Sequence, residues 1–249
     1  MTNDDGVLSE GIAALADALS ALGDVTVVAP AGESSAVGHA LTLTRPLRLQ
    51  RLREGVYSVD GTPTDCVTIA FAKLFDREPD LVVSGINTGY NLGDDVTYSG
   101  TVAGALEAIL LGVPGIAVSL GRQRHYDFAQ AAWAALTIAE RVLDSGFPPR
   151  TLLNVNVPRE PARGFRMTIQ ARRRWFPDVL EAEDPRGRPY FWIKEGRAEW
   201  EPDEASDYQA VRDGWISVTP LHPDLTCRSS LQALAGLEAL GDLRQRQAG

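Results

Sequence analysis

Apolar residues recur at Ile12, Leu15, Ala16, Leu19 and Leu22, with small or charged residues between them. That spacing predicts a helix with one buried face, capped by Ser9 at its start and ended by Gly23. VTVVAP (residues 25–30) then runs apolar and β-branched without alternation, the pattern of a strand covered on both faces. A small-residue loop, AGESSAVGHA, follows, and residues 41–59 alternate like a hairpin or strand pair. GTPTDC leads into a helix over about 65–75, with Asp65 as its cap. DLVVSGIN is a second buried strand, GYNLGDDVTYSG a loop, TVAGALEAILLG a helix and GIAVSL a third strand. A long helix over about 127–144 and a fourth strand, LLNVNVP, complete the series.

Strand, loop and helix in repetition predict an α/β fold: a Rossmann-like, mainly parallel sheet with helices on both faces. We expect this core to occupy residues 1–160. The remainder, 161–249, is expected to supply a further strand, an extended C-terminal arm or β-hairpin, and a terminal helix over about 229–246. Between Arg172 and Asp213 the chain turns rich in charge, proline and aromatics, and three of its five tryptophans, Trp175, Trp192 and Trp200, fall there. Such a segment reads either as a partner surface or as a self-packed subdomain. GWISVTPL (214–221) returns to strand character.

Composition narrows the function. The 249 residues carry a net charge of −9, which speaks against nucleic-acid polymers as partners, because these reward a basic surface. Cys66 and Cys227 stand far apart without a CxxC partner, so a structural zinc is not expected and a reduced, cytoplasmic setting is. The polar, acidic start lacks the pattern of a signal peptide. The longest uncharged, mostly apolar run, Phe128 to Ala139, is too short to span a bilayer, so no membrane association is expected.

In α/β sheets, ligands bind beyond the carboxyl ends of the strands. Three loops lie there. The opening TNDDG offers adjacent carboxylates, Asp4 and Asp5, which repel each other unless water screens them on a frayed tail or a cation sits between them. The loop after VTVVAP offers Ser34, Ser35 and His39. The loop after DLVVSG offers Asn87, Asn91, Asp94 and Asp95, then Ser99, Gly100 and Thr101 at a helix start. Oxygen donors without paired thiols or imidazoles suit a hard divalent cation, Mg²⁺ or Mn²⁺. A helix start with a glycine and two hydroxyls suits phosphate, or is simply a capped helix.

TNDDG, APAGESSAVGHALTL, GTPTDC and VSGINTGYNLGDDVTYSGTVAGALE, with LLNVNVP, DPRGRPYFWI and ISVTPLHPDLT beyond, resemble the SurE family of survival proteins in order and spacing. The resemblance implies a divalent-metal phosphatase acting on nucleoside monophosphates, a 5′-nucleotidase with a 3′ activity open. One Mg²⁺, Mn²⁺ or Co²⁺ per subunit is implied, and some members also take short polyphosphate. It implies a homodimer or homotetramer built through the C-terminal arm. By motif it makes Asp4, Asp5, Ser35 and Asn87 the metal ligands and Ser99, Gly100 and Thr101 the phosphate contacts, with Asn91 close by as a substrate contact. Asp4 or Asp5 is also the candidate to orient the attacking water or take its proton.

The family places a short apolar strand before TNDDG, whereas only Met1 stands there in this chain, and a late start assignment is the expected explanation. Two other readings stay open at this stage. One is an aspartyl-phosphate phosphatase, although its acids are commonly two apart. The other is a non-catalytic phospholigand-binding protein.

Overall fold

Met1 and Thr2 lie between two half-sheets. The computed structural model describes residues 1–236. On one side, β1 (Val27–Pro30) pairs in parallel with β3 (Val56–Val59), which pairs antiparallel with β2 (Leu49–Arg53). On the other side, β4 (Val82–Thr88), β5 (Gly115–Leu120) and β6 (Leu152–Val157) run parallel, and β10 (Ile216–Leu221) adds antiparallel to β6. The short β7 (Phe165–Met167) closes that edge, parallel to β10. Backbone bonds stitch the halves together: Val28 N–H to Met1 O at 2.8 Å, Thr2 N–H to Val83 O at 3.2 Å, and Gly85 N–H to Thr2 O at 2.9 Å.

Below this stitch no backbone bond joins the halves among the described residues. A cavity of about 540 Å³ opens there, lined by Met1, Leu22, Val25, Phe71 and Leu81 among others. The Met1 ammonium, bonded to Thr26 O at 2.6 Å, is buried in it, and desolvation lowers its pKa to about 6.

Helices cover both faces, as expected. α1 (Glu10–Leu19) and α4 (Ala129–Ser145) bury Leu15, Leu19, Ala135 and Ile138 against Val83, Ile116, Val118 and Val155. α2 (Pro63–Lys73) and α3 (Gly100–Leu110) cover the other face, with Val67, Ala108 and Ile109 in the core. Each side chain that goes fully under contributes about 1.5–3 kcal/mol of transfer free energy. Ser9 caps α1 through a bond from Ile12 N–H. α2 starts two residues earlier than expected, because Thr62 and Asp65 form a reciprocal capping box with Pro63 at the first helical position.

The strand pair expected over 41–59 is confined to β2 and β3, and 41–48 form no regular strand. Three elements are new: β7, a 3-10 turn over Gly93–Thr97 in the expected loop, and α5 (Asp207–Arg212), which buries Asp207, Ala210 and Val211. The arm is correspondingly shorter than the segment 172–213. It is the hairpin β8 (Arg173–Glu183) and β9 (Pro189–Trp200), turned by Asp184, whose carboxylate accepts from Arg186 and Arg188 N–H. Trp215 lies back on the body of the protein under Arg163 and Arg166. The C-terminal helix α6 spans Arg228–Leu234. The part expected from 237 onward lies outside the described residues. No described helix is long and apolar enough to cross a membrane.

Candidate active site

Asp4 and Asp5 follow the Thr2 bridge, where the chain leaves the sheet. Gly6, at φ +97°, supplies the turn that lets adjacent residues face one region, and a side chain there would press on the Gly32 backbone at 3.2 Å. Asn3 ties the turn, donating to Gly6 O at 3.0 Å and to Ser9 Oγ at 2.7 Å. The acids are therefore part of the folded body, and Asp4 is 95% buried; the frayed-tail reading does not hold.

Asp4 sits against the start of α3. Thr101 Oγ1 donates to Asp4 Oδ1, and the backbone amides of Thr101 and Gly100 face the same carboxylate. A Cβ at Gly100 would lie 2.8 Å from Asp4 Cβ, so only glycine permits the approach. Burial raises the Asp4 pKa, and these donors oppose the rise. Burial, and then the charge of Asp4, push the Asp5 carboxyl up to about 6. Thr88 Oγ1 reaches Asp5 Oδ1 at 3.4 Å, while the buried Asp5 Oδ2 has no partner among the described residues.

The other two proposed metal ligands are tied to these acids through their neighbours. Ser34 N–H donates to Asp4 O at 2.8 Å, which brings the loop of Ser35 alongside; the exposed Ser35 hydroxyl rests on Glu33 Oε1 at 2.7 Å. Asn87 ends β4 beside Thr88, with its amide on Gly89 O at 2.9 Å. Two closely placed carboxylates, one with an orphaned buried oxygen, plus a hydroxyl and an amide make an all-oxygen donor set that fits a hard divalent cation. Among the described residues no group of three or more His, Cys, Asp or Glu gathers, so any such site depends on the serine and the asparagine.

Ser99 caps α3, accepting from Val102 N–H at 3.0 Å, and retains its O–H to donate. Thr101 differs from expectation: its hydroxyl is engaged by Asp4, not free for a phosphate. Asn91 differs too. It is buried and its amide donates to Ser119 Oγ at 2.7 Å, its N–H donates to Asn156 Oδ1 at 2.8 Å, and its carbonyl accepts from Asn154 at 2.8 Å and Asn156 at 3.0 Å. It fixes the loop to the sheet. The signal for this was present in LLNVNVP: two asparagines two apart on one face of a buried strand need polar partners.

Asp95 pairs with Arg173, which is sandwiched by Trp175 and Trp200, so this acid fastens the loop to the root of the arm. Asp207 does the same from α5, accepting from Gly93 N–H and Ala171 N–H at 3.0 Å each. His39, read equally as a loop residue or a neighbour of the site, pairs with Glu107 of α3. Cys66 faces the core, as expected.

The chain is similar to known proteins over nearly its whole length. A family model described as Survival protein SurE matches residues 1–177. The 5'-nucleotidase SurE of Pelobacter propionicus is 53% identical over 238 residues, covering 94% of this chain and 96% of that protein. The 5'-nucleotidase SurE of Syntrophotalea carbinolica is 54% identical over 237 residues, covering 94% and 95%. The crystal structure of the SurE protein from Aquifex aeolicus superposes with a TM-score of 0.83 at 45% identity, covering 95% of this chain and 98% of that one. With a family model matched over most of its length and about half its residues shared with full-length relatives, the chain belongs to the SurE family.

Proposed function

We propose that this protein is a divalent-metal-dependent phosphomonoesterase that hydrolyses nucleoside monophosphates, a 5′-nucleotidase. The observation that carries the reading is the Asp4–Asp5 pair: two carboxylates disfavoured as anions by burial, one with an oxygen lacking a partner, at the start of a helix. The names of the relatives support it.

Asp4, Asp5, Ser35 and Asn87 would hold one Mg²⁺, Mn²⁺ or Co²⁺ per subunit. When bound, such a cation supplies a Lewis acid for a phosphate oxygen and lowers the pKa of an attacking water. The start of α3 orients Asp4 through Thr101, which leaves Asp5 as the carboxylate to orient the attacking water. The Ser99 hydroxyl and the backbone at Gly100 receive the phosphate, where donors and the helix dipole stabilise developing charge. Asn91 positions this loop from within the sheet. Recognition built on the phosphate rather than the base suits 3′-nucleotides and short polyphosphate as further substrates. Metal-activated water is favoured over attack by Asp4 itself, because that carboxylate is enclosed by Thr101 and Gly100.

The β8–β9 hairpin supports a homodimer or homotetramer: Phe191, Trp192 and Ile193 are exposed on it, as an arm awaiting a second copy would have them. Two free thiols fit the cytoplasm.

The test is phosphate release from a panel of nucleoside monophosphates and short polyphosphate, using chelator-treated protein resupplied with Mg²⁺, Mn²⁺ or Co²⁺. Release that requires added metal is expected. Release undiminished after exhaustive chelation, or none with any metal, overturns the reading.

A further inference from the structure

We propose that His39 and Glu107 form a latch that positions Ser35 for metal binding, making His39 a positioning residue. The inference rests on the metal reading above.

The loop that carries Ser35 leaves β1 and crosses to α3. Its near side is fixed by Ser34 N–H on Asp4 O at 2.8 Å. Beyond Ser35 the backbone turns twice through left-handed conformations, at Ala36 (φ 56°) and Gly38 (φ 59°). An alanine in that region costs roughly 1–2 kcal/mol, so contacts further along must hold it. Two are present. Gly38 N–H donates to Tyr98 O at 2.9 Å, directly before the α3 cap. His39 Nε2 meets Glu107 Oε2 at 2.8 Å. The two together pin the stretch after Ser35 onto the helix whose N-terminus faces Asp4.

Glu107 is an unusual residue for its place. It is 93% buried in an otherwise apolar, small-residue helix, GTVAGALEAIL. Buried carboxylates need partners. Glu107 has two: His39, and Thr68 of α2, whose hydroxyl donates to Oε1 at 2.9 Å. Thr68 orients the acid from behind and leaves Oε2 for the loop. The His39 bond holds the Glu107 carboxyl below the ordinary glutamate range, as expected for a charged acceptor. Ser35 itself is exposed and makes its bond to Glu33 within the same loop. Its position relative to Asp4 and Asp5 is therefore set by the anchors on either side of it.

The experiment compares wild type, His39→Ala and His39→Gln, the last because its amide nitrogen replaces Nε2 toward Glu107. Mn²⁺ affinity is measured by calorimetry, melting temperature and amide exchange on the metal-free protein. His39→Ala is expected to weaken Mn²⁺ binding about tenfold or more, the usual effect of losing a partner that orients a ligand. Exchange at Gly38 should quicken, the melting temperature should fall because Glu107 loses one of its two partners, and His39→Gln should restore affinity, exchange and melting. Wild-type Mn²⁺ affinity in His39→Ala overturns the latch, whether or not exchange changes. Absence of Mn²⁺ binding in wild type itself overturns the metal reading instead, and unchanged exchange at Gly38 would then reject the latch on its own terms.

Discussion

The hydroxyl of Thr101 donates to Oδ1 of Asp4 across 97 positions of sequence, and the helix start that the family resemblance assigns to phosphate is shared with a carboxylate. A buried anion is tolerated there because an α-helix presents unpaired N–H groups and a partial positive charge at its beginning.

Thr101→Val keeps the shape and removes the donor. Leaving a buried acceptor short of a partner costs about 1–3 kcal/mol. Melting of the metal-free protein should fall accordingly. Turnover with Mn²⁺ should drop about 10–100-fold, as for ligands that lose their orienting partner. Melts in the presence of chelator check the first, and assays at one fixed Mn²⁺ concentration the second.

Asp5→Asn should separate stability from activity. The folded-state pKa of Asp5 lies above its ordinary value of 3.8, at about 6, so the folded metal-free protein binds a proton more readily than the unfolded chain. Its contribution to stability is therefore greatest below pH 3.8 and declines as pH rises through about 6. Asparagine removes that decline. Metal-free Asp5→Asn should melt higher than wild type at pH 7, with a flatter pH profile, and should show no turnover. Melting scans with chelator at several pH values, beside a nucleotide assay, test the pair of signs.

Metal removal gives the complementary result. Saturating Mn²⁺ at 100 times its dissociation constant should stabilise the protein by about 2.7 kcal/mol. The gain should vanish in Asp4→Asn and shrink below pH 6, where protons compete for the carboxylates. Thermal melts with and without Mn²⁺ read it directly.

Replacing residues 178–194 with a two-residue turn removes the exposed strip of Phe191, Trp192 and Ile193 but leaves Arg173, Trp175 and Trp200 to close on Asp95. The shortened protein should be monomeric by light scattering, whereas the full chain should be a dimer or tetramer at micromolar concentration. Equal masses for the two would reject the arm as the assembly element.

Adding a short apolar strand such as Arg-Ile-Leu-Val before Met1 should raise the melting temperature. The added residues have a cavity of about 540 Å³ and two unpaired strand edges to enter. They also replace the buried Met1 ammonium with a peptide bond. Gross burial of about 1.5–3 kcal/mol per apolar side chain is partly offset by the entropy of ordering each residue, about 1–2 kcal/mol. Unchanged melting would mean that the cavity does not admit a strand.

Much of this was legible in the sequence because the main elements are long and strongly patterned, and because TNDDG, SGIN and YSGT sit where an α/β sheet keeps its ligands. What escaped has physical reasons. α5 and β7 span six and three residues, too short for either periodicity to register. The roles of Thr101, Asn91 and Glu107 are set by partners 97, 28 and 68 positions away. Nothing local marks such a residue, except that a polar side chain within a buried element asks for one. Glu107 in an apolar helix and Asn154 with Asn156 in a buried strand posed that question. Asp65, in contrast, was readable as belonging to a helix start, although the cap itself is Thr62, three residues earlier, to whose N–H the Asp65 carboxylate returns a bond.

The division of the sheet at Met1 and Thr2 bears on how the molecule comes apart. Ser35 follows β1 and belongs to the three-stranded half; Asn87 and α3 belong to the five-stranded half. Asp4 and Asp5 leave the stitch itself. A cation held by all four, as proposed, is a clasp across a mechanical fault line, joining pieces whose backbone bonds are the few around Met1 and Thr2 and the one from Gly38 N–H to Tyr98 O. Opening along that line would tear the ligand set in two, so the metal and the smaller half-sheet should be lost in one cooperative event.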